Sequence, residues 1–483
     1  MLRTKLPPDS VFKTKIWFWT SIAFFVIVNA IFLYNQFYIG LLLPILLMGV
    51  FIGIFSFDKL IFLTILFTPF SVRYEDVIGG IGLDIPTDPL LMILSTAIIY
   101  KLFSEKMYDV KVLKHPITIA LFINLGWIFF TSFTSSLPLV SFKYFVSRSF
   151  FIILFYFVMI QVFKNKDKIK TYMWLYIVPL MLVIIYAFIN HYDYNFDQRA
   201  SYGIAQPFYV NHGIYAAAIA MFMPFLWFVM IRPRIFNYNI FQQVVITIVF
   251  TIFLAGLVYS FTRAAWISVV AAIAVGSALA FRFKFSTYMF GAILLIIASF
   301  GIQDSIEKAL RKNKQASSDN FEQHVKSIYN VKNDDSNLER INRWMCAMRM
   351  FADHPIVGFG PGTYMFEYAP YQKASEMTKI STNMSTLGNC HSEYLQPLAE
   401  IGLIGFLTWI GLIVIVIFSA IKIYYYDGDE QNRLLALSAM LGLVTYFVHG
   451  FLNNYIEIDK AAVLVWGFMG VITAVDVYHK KTT

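Results

Sequence analysis

The chain has 483 residues, of which 58% are hydrophobic and 14% charged, and its mean hydropathy is +0.64. An ordinary soluble domain has roughly 45–50% apolar and about 25% charged residues, so this composition excludes a soluble globular protein and predicts an integral membrane protein. The formal net charge is +9. Because the basic residues lie mostly in short segments between apolar runs, they indicate membrane orientation and not nucleic-acid binding.

Long apolar runs follow one another along the whole sequence. A membrane-spanning helix needs about 20 mostly apolar residues. The runs that approach this length begin at Trp17, Ile39, Leu60, Leu90, Pro116, Tyr144, Tyr172, Tyr209, Phe241, Ala264, Phe285, Pro397, Leu434 and Ala461. The run at Leu60 stops near Pro69 and is short enough to be a half-helix. We predict an all-α fold, a polytopic bundle of about 12–14 transmembrane helices with one large, partly helical loop outside the cytoplasm.

The basic residues predict the orientation of these helices. If every run crosses the bilayer, residues 3–15, 101–114, 164–170, 232–234, 282–284 and 479–481 fall on one side. The positive-inside rule makes that side the cytoplasm, so both termini are cytoplasmic. We therefore expect eleven helices in residues 1–303, one large extracytoplasmic loop at 304–396, and the C-terminal helices at 397–483.

Residues 337–352 of the large loop have helical periodicity. Apolar residues recur there at intervals of three and four, which predicts an amphipathic helix with its apolar face on the membrane domain. These residues are Leu338, Ile341, Met345, Met348 and Ala352. Arg340 and Arg343 lie on the other side, one turn apart. Two such guanidinium groups suit a diphosphate, since each binds oxygens in bidentate fashion. A solvated basic face, or one in contact with lipid head groups, is the alternative.

A run of glycines follows this helix. Asp353, His354 and Pro355 end the helix, because the residue before a proline avoids the helical region. Gly360 and Gly362 then permit tight turns and close backbone approach, which suits a phosphate but also an ordinary loop.

The chain has two cysteines, Cys346 and Cys390, and both lie in the large loop. In an oxidising compartment they could form a disulfide, and two unpaired thiols are the alternative. Two cysteines are too few for a zinc site, which needs four ligands at short spacings.

His391 lies directly before the apolar run at Pro397. Nearby arginines disfavour the charged form of an imidazole at the membrane boundary, so this side chain is a candidate neutral base near pH 7. A capping or structural histidine is the alternative, and Glu393 and Glu400 are the competing carboxylates.

Two further arginines lie on the extracytoplasmic side. Arg263 falls between two apolar runs, and a charge at the membrane edge is expensive enough to be a functional candidate. Snorkelling to the interface is the other interpretation. Arg199 lies in the loop before Asn211. All four arginines are thus predicted on one face of the membrane, as a site for a lipid-borne diphosphate requires.

Taken in order, these motifs resemble the superfamily of O-antigen ligases and O-antigen polymerases of the bacterial envelope. The motifs are Arg199–Asn211, Ser260–Arg263, Arg340–Trp344, His354–Gly362, His391–Leu395 and Glu400–Gly405. The resemblance implies a multi-pass protein of the bacterial inner membrane whose large loop is periplasmic. Its partners would be the bilayer, a glycan donor carried on a polyprenyl diphosphate, such as undecaprenyl diphosphate, and a glycolipid or glycan acceptor.

The resemblance also implies a reaction and roles for the residues. The enzyme would be an inverting glycosyltransferase that needs neither a metal nor another cofactor. Arg263 and Arg340 would stabilise the diphosphate leaving group, and His391 would deprotonate the acceptor hydroxyl. Substrate contacts would come from Arg343, Arg199, Gly360, Gly362 and Glu393.

Three functions remain open. The favoured one is a ligase that moves a finished glycan onto lipid A-core or a similar acceptor. A polymerase of the same superfamily differs only in the acceptor. A flippase or transporter of lipid-linked sugars is less favoured, because transport needs polar groups at the membrane midplane and these charges cluster on one face.

Overall fold

The computed structural model describes residues 8–34, 56–78, 81–104, 109–282, 335–378, 381 and 388–481. This part of the chain is mostly helical, which confirms the predicted all-α class. The runs predicted from Ile39 and Phe285 lie outside the described residues, as does the predicted boundary at residues 303 and 304.

Thirteen longer helices follow in chain order through the described residues. They are α1 (Pro8–Tyr34), α2 (Phe57–Phe67), α3 (Thr87–Ser104), α4 (Pro116–Phe133), α5 (Pro138–Val162), α6 (Lys166–Tyr192), α7 (His212–Ile231), α8 (Ile240–Tyr259), α9 (Arg263–Ala280), α10 (Asp335–Asp353), α11 (Leu395–Tyr426), α12 (Glu430–His449) and α13 (Asp459–His479). Each described apolar run predicted from the sequence is helical. One-turn helices occur at Thr68–Phe70, Val110–Leu113, Arg199–Tyr202, Pro233–Phe236, Tyr364–Glu367 and Ala369–Tyr371.

Eight of the described helices are long and apolar enough to cross a membrane, namely α4 to α9, α11 and α13. The short helix α2 ends at Phe67, and the one-turn helix Thr68–Phe70 follows it. One feature was not predicted: β1 (Val72–Ile78) and β2 (Ile81–Ile85) pair as a two-stranded sheet.

The chain divides into two compact units. One contains Met1–Thr64 and Ile85–Lys106, and the other contains Ile65–Asp84 and Met107–Thr483. The first holds α1, α3 and most of α2. The second holds α4 to α13 and every candidate site residue.

Ion pairs and hydrogen bonds define one end of the second unit. Lys166 Nζ lies 3.2 Å from Asp429 Oδ2, and Lys481 Nζ lies 3.0 Å from the same oxygen. The side chain of Asn432 donates to the His479 carbonyl at 2.6 Å. The start of α6, the start of α12 and the end of α13 therefore meet here. We call this the basic end, because two of the segments assigned to the cytoplasm lie in it.

The opposite, or far, end joins the other helix termini. Thr262 Oγ1 donates to the His212 carbonyl at 3.3 Å, which connects the start of α9 to the start of α7. The Tyr394 hydroxyl donates to the Phe447 carbonyl at 2.8 Å, which connects the start of α11 to α12. Segments that the sequence assigns to the outside thus meet at the far end.

Helix α11 is broken near the far end at Gly402, whose φ is +68°. The break leaves carbonyl groups of the first helical turns without a partner in the helix. Other segments supply the donors: the Phe359 amide binds the Ala399 carbonyl at 3.1 Å, and the Trp127 indole binds the Ile401 carbonyl at 2.8 Å. The segment after α10 therefore docks directly on a break in a membrane helix.

Helix α10 packs against α11, but not through the predicted face. Met345 and Met348 are both 42% exposed, and the buried apolar residues are Cys346, Ala347 and Met350. The buried face also carries polar side chains, Glu339, Asn342 and Arg343. These side chains pair with one another, which lowers the cost of burying them and lets the face rotate away from the apolar stripe.

Candidate functional site

Three histidines and one tyrosine at the far end lie within the electrostatic reach of Arg340. Its positive charge acts on His391 from the loop before α11, on His212 at the start of α7, and on His449 at the end of α12. It also acts on Tyr455 in the loop between α12 and α13. We call these five residues the Arg340 cluster. It brings together four segments that are far apart in sequence.

His391 is the predicted base, and the structure holds its backbone in an unusual conformation. Its φ is +52°, a region that residues with a side chain rarely adopt. Its amide donates to Asn389 Oδ1 at 3.1 Å, and its carbonyl accepts from the Trp344 indole at 3.5 Å. Burial, together with the charges of Arg340 and Arg343, lowers the pKa of His391 to about 4. The imidazole is therefore neutral at pH 7, as the sequence analysis expects of a base.

Arg343 is occupied within the protein. Its Nε lies 2.6 Å from Glu339 Oε1, and its guanidinium lies 4.0 Å from the ring centroid of Tyr368. Although burial opposes it, hydrogen bonds from Ser381 and Arg343 hold the pKa of Glu339 below its usual value. The predicted clamp of two arginines thus has one member already in a buried ion pair, and Arg343 fixes α10 while its charge reaches His391.

Glu393 ties the His391 segment to the loop between α12 and α13. Its Oε1 accepts from the Tyr446 hydroxyl at 2.5 Å, the Tyr455 amide at 2.7 Å and the Ile456 amide at 2.9 Å. Burial raises the pKa of Glu393, while these bonds oppose the rise. The carboxylate is thus used for positioning, two residues away from His391.

A second network places the start of α7. The Tyr455 hydroxyl lies 3.3 Å from Asn211 Oδ1 and 3.1 Å from Asn453 Oδ1. Asn211 caps α7, since its side chain accepts from the amides of Gly213 and Ile214. His212, the first residue of α7, therefore has a fixed position beside Tyr455.

Arg263 and Arg199 also lie at the far end. Arg263 is the first residue of α9, directly after Thr262, which bonds the His212 carbonyl. Arg199 is exposed, in a one-turn helix whose last residue, Tyr202, packs its ring 4.3 Å from the His212 ring. The structure thus brings both arginine segments to His212.

The amides of Gly360 and Gly362 have partners within the protein. Gly360 donates to the Glu400 carbonyl at 2.7 Å, and Gly362 donates to Glu400 Oε2 at 3.0 Å. A Cβ atom on Gly360 would lie 2.0 Å from Ser135 Oγ. These glycines allow the loop to close around Glu400, which accepts hydrogen bonds from both amides.

Both cysteines are free and buried, in one apolar cluster with Tyr364 and Tyr368. The sequence left open a disulfide or two unpaired thiols, and in the structure the two thiols are unpaired. Burial raises the pKa of the Cys346 thiol to about 11, so it is protonated at neutral pH.

Residues 247–410 match the family model described as O-antigen ligase. The match runs from α8 into α11 and contains Arg263, Arg340, Arg343, His391 and Glu393. This chain therefore contains a segment similar to the O-antigen ligases. No curated protein matches it. The matched segment and the eight apolar helices indicate a multi-pass membrane protein and an enzyme of polysaccharide assembly, with an O-antigen ligase-like or polymerase-like function.

Sequence reasoning missed three residues at the far end and one inside the bundle. His212, His449 and Tyr455 are at helix ends or in a short loop, where they resemble ordinary caps. Arg148 lies inside an apolar run of α5, and its charge was the signal that could have found it. Among the described residues, no group of three or more His, Cys, Asp or Glu side chains is placed to hold a metal ion.

Proposed function

We propose that the protein is a ligase that transfers a glycan from a polyprenyl diphosphate, such as undecaprenyl diphosphate, to a hydroxyl group of lipid A-core or a similar acceptor. The observation that carries the proposal is the neutral imidazole of His391 within the electrostatic reach of Arg340, inside the segment that matches the family. A neutral base and a fixed cation are the two groups that this transfer needs.

The reaction is a single displacement at the anomeric carbon. The acceptor oxygen forms the new bond to this carbon, and the bond to the diphosphate oxygen breaks with its electron pair on the leaving group. His391 takes the proton of the acceptor hydroxyl. Attack opposite the leaving group inverts the configuration of the anomeric carbon.

Arg340 and Arg263 stabilise the negative charge that develops on the leaving diphosphate. A preorganised cation in a site with little water contributes more than the same cation in water. Arg199, exposed at the edge of the site, contacts the carrier phosphates or the glycan. Arg343 and Glu393 position α10 and the His391 segment, and Gly360 and Gly362 build the loop around Glu400. The chemistry requires no metal, because the diphosphate is already a good leaving group.

In this proposal the far end faces the periplasm and the basic end the cytoplasm, with the large loop at 304–396 between membrane helices at 1–303 and 397–483. The basic segments support this orientation. Reporter fusions after Lys114, Lys170 and Lys481 should indicate the cytoplasm, and a fusion near Gln323 should indicate the periplasm. A cytoplasmic signal at Gln323 overturns both the orientation and the proposed reaction.

Glycan transfer by purified protein tests the proposed function. The assay supplies a polyprenyl diphosphate-linked glycan and lipid A-core as acceptor, with EDTA present. His391→Ala should abolish transfer, while His479→Ala at the basic end should leave it unchanged. Transfer only onto a second carrier-linked glycan would identify a polymerase instead. Wild-type activity in His391→Ala, or movement of the donor across vesicles without transfer, contradicts the proposal.

A further inference from the structure

A second polar cluster lies inside the bundle, away from Arg340. Arg148 is ten residues after Pro138, the start of α5, which corresponds to about 15 Å along a helix. It is 5% exposed. A charge inside a membrane-spanning helix is costly and marks a functional site unless its surroundings explain it.

Aromatic rings from three helices surround this arginine. Its Cζ lies 5.5 Å from the ring centroids of Tyr144 and Trp409 and 5.7 Å from that of Trp466. Glu457 completes the group, with its Oε1 3.4 Å from Arg148 Nη1. We call these five residues the Arg148 cluster. Glu457 is the one acidic residue of this cluster. Its side chain is 35% exposed, so this carboxylate marks the entrance to the cluster from solvent.

Polar atoms in this cluster lack partners within the described part of the chain. Arg148 Nε, Trp409 Nε1 and Trp466 Nε1 have no acceptor, and Glu457 Oε1 has no donor at hydrogen-bond geometry. Trp409 is 3% exposed and Trp466 is 0% exposed. Buried polar groups in proteins are nearly always hydrogen-bonded, so several exceptions in one place call for a ligand.

Indole N–H groups elsewhere in the described part of the chain do have hydrogen-bond acceptors. Trp127 donates to the Ile401 carbonyl at 2.8 Å, and Trp174 donates to the Tyr238 hydroxyl at 2.7 Å. Trp266 donates to the Leu257 carbonyl at 2.9 Å. The two indoles beside Arg148 are therefore unusual within the chain itself.

The charges and hydrogen-bonding groups of the Arg148 cluster indicate which class of ligand it can bind. The charge of Glu393 also acts on Arg148, so two carboxylates next to one arginine disfavour an anion. The Tyr144 hydroxyl bridges this arginine and Glu457: Arg148 Nη1 donates to it at 2.5 Å, and it is hydrogen-bonded to Glu457. The direct distance from Arg148 Nη1 to Glu457 Oε1 is 3.4 Å, which is longer than the about 2.7–2.9 Å of a charge-assisted hydrogen bond. A hydroxyl group can accept from the guanidinium or an indole and donate to the carboxylate. Neutral ligands with several hydroxyl groups and an affinity for aromatic rings are saccharides.

We propose that the Arg148 cluster is a binding site for a neutral sugar of the acceptor. This inference rests on the proposed glycan transfer for its biological meaning. The location supports it, because Glu457 directly follows Tyr455 and Ile456, the residues held by Glu393. The short segment 455–457 thus contributes Tyr455 to the Arg340 cluster and Glu457 to the proposed sugar site.

Binding of simple glycosides tests the site without any transfer reaction. The probes are methyl β-D-glucopyranoside, methyl β-D-galactopyranoside and methyl α-D-mannopyranoside, added to the full chain in nanodiscs free of glycolipid. Saturation-transfer difference NMR measures the affinity. At least one probe should bind saturably, and the double variant Trp409→Phe/Trp466→Phe should bind it roughly tenfold more weakly, because it keeps both rings and loses both N–H donors.

Stability provides the second readout. Removing a buried donor that has no partner costs no hydrogen bond, but the smaller phenyl rings leave cavities, so the double variant should remain folded and melt below the wild-type protein. The control Trp174→Phe breaks a satisfied bond near the basic end, and should melt lower while binding the probes normally.

Saturable binding of no probe by the wild-type protein overturns the proposal, as does equal affinity in the double variant. Should the double variant fail to fold, Arg148→Lys provides the same comparison, with weaker binding expected and equal affinity contradicting it. Probe binding that persists in a wild-type protein without transfer activity would instead remove the proposed reaction and leave the sugar site.

Discussion

The backbone N–H of Gly360 donates a hydrogen bond to the carbonyl of Glu400 at 2.7 Å. This bond joins the loop after α10 to the broken first turns of α11, so two motifs that are forty residues apart in sequence form one structural element. The side chain of Glu400 closes the loop a second time, through the amides of Gly362 and Tyr364. The loop and the break in α11 therefore depend on each other.

Substituting Gly402 tests this dependence. A Cβ atom there would lie 2.1 Å from the Ile356 carbonyl oxygen, and φ at Gly402 is +68°. Gly402→Ala should destabilise the protein by about 1–3 kcal/mol or more, seen as a lower melting temperature. Gly411→Ala is the matched control in the same helix, since nothing lies within 4 Å of its added Cβ. The control should be neutral or stabilising by about 0.5–1 kcal/mol. Equal melting temperatures for the two variants would contradict the docking at the break.

The pH profile of transfer should report the depressed pKa of His391. Because this pKa is about 4 in the folded protein, His391 is a neutral base at pH 7, and activity should fall only as the pH drops through about 4. Any stability that the neutral imidazole contributes is present above the unfolded pKa of about 6.5 and is lost as the pH falls towards 4. An acid limb near pH 6.5 in the wild-type protein would exclude this assignment.

Substituting Arg340 should move this acid limb upward. Burial is the largest cause of the shift and the charge of Arg340 the second, so Arg340→Gln should raise the midpoint without restoring it to 6.5. Arg349→Gln is the control on the same helix, because Arg349 pairs with Glu376 and should leave the midpoint unchanged. Each pH–activity profile is normalised to its own maximum, so that a shift of the midpoint is separated from the lower transfer rate of the Arg340 variant.

Loss of Arg263 should slow transfer and leave folding intact. Removing one preorganised donor costs about 2.7–4 kcal/mol of transition-state stabilisation, so Arg263→Ala should lower kcat on the order of 10²–10³-fold. Arg263→Lys should recover only part of this, because a point charge cannot replace the bidentate fork. Arg282→Ala, just beyond the other end of α9, should transfer at the wild-type rate. A wild-type rate for Arg263→Ala would remove Arg263 from the leaving-group site.

Glu393 should support transfer by holding the neighbouring segments in place through hydrogen bonds, and its negative charge should not be required. Glu393→Ala leaves the Tyr446 hydroxyl and the amides of Tyr455 and Ile456 without their acceptor, at a cost of about 1–3 kcal/mol per buried group. Both the melting temperature and kcat should fall. Glu393→Gln keeps an oxygen at this position and should restore most of both, with KM unchanged. Failure of the glutamine variant to restore activity in a stable protein would indicate a direct contact with substrate.

Thiol labelling should find Cys346 and Cys390 reduced. Both side chains are buried, so neither should react in the folded protein, and both should react after denaturation without a reductant. A denatured, unreduced protein in which neither thiol reacts would show that the disulfide forms.

The helices were predictable from sequence because the bilayer leaves little choice. A spanning segment must be long and apolar, and the runs from Pro116, Tyr172 and Phe241 are helices in the structure. The ends of apolar runs also locate the charged residues next to them, so the sequence alone indicates Arg263 and His391 as candidates.

The orientation of α10 could not be predicted from its periodicity. The apolar stripe through Met345 and Met348 is largely exposed, while the face with Asn342 and Arg343 is buried. Periodicity measures apolar content, and it does not register that Glu339 compensates the charge of Arg343. Similarly, the glycines indicated a tight loop, but only the structure shows that Glu400 occupies its amides.

The position of Tyr455 has a consequence for biosynthesis. This residue is held by Glu393 and lies between the last two helices, so the Arg340 cluster is incomplete until the ribosome has produced α12 and α13 and both have inserted. A nascent chain can already expose Arg199, Arg263, Arg340 and His391 while it has no finished site. In the proposed mechanism the site is therefore complete only when α12 and α13 have inserted, and a chain that ends before them should lack transfer activity.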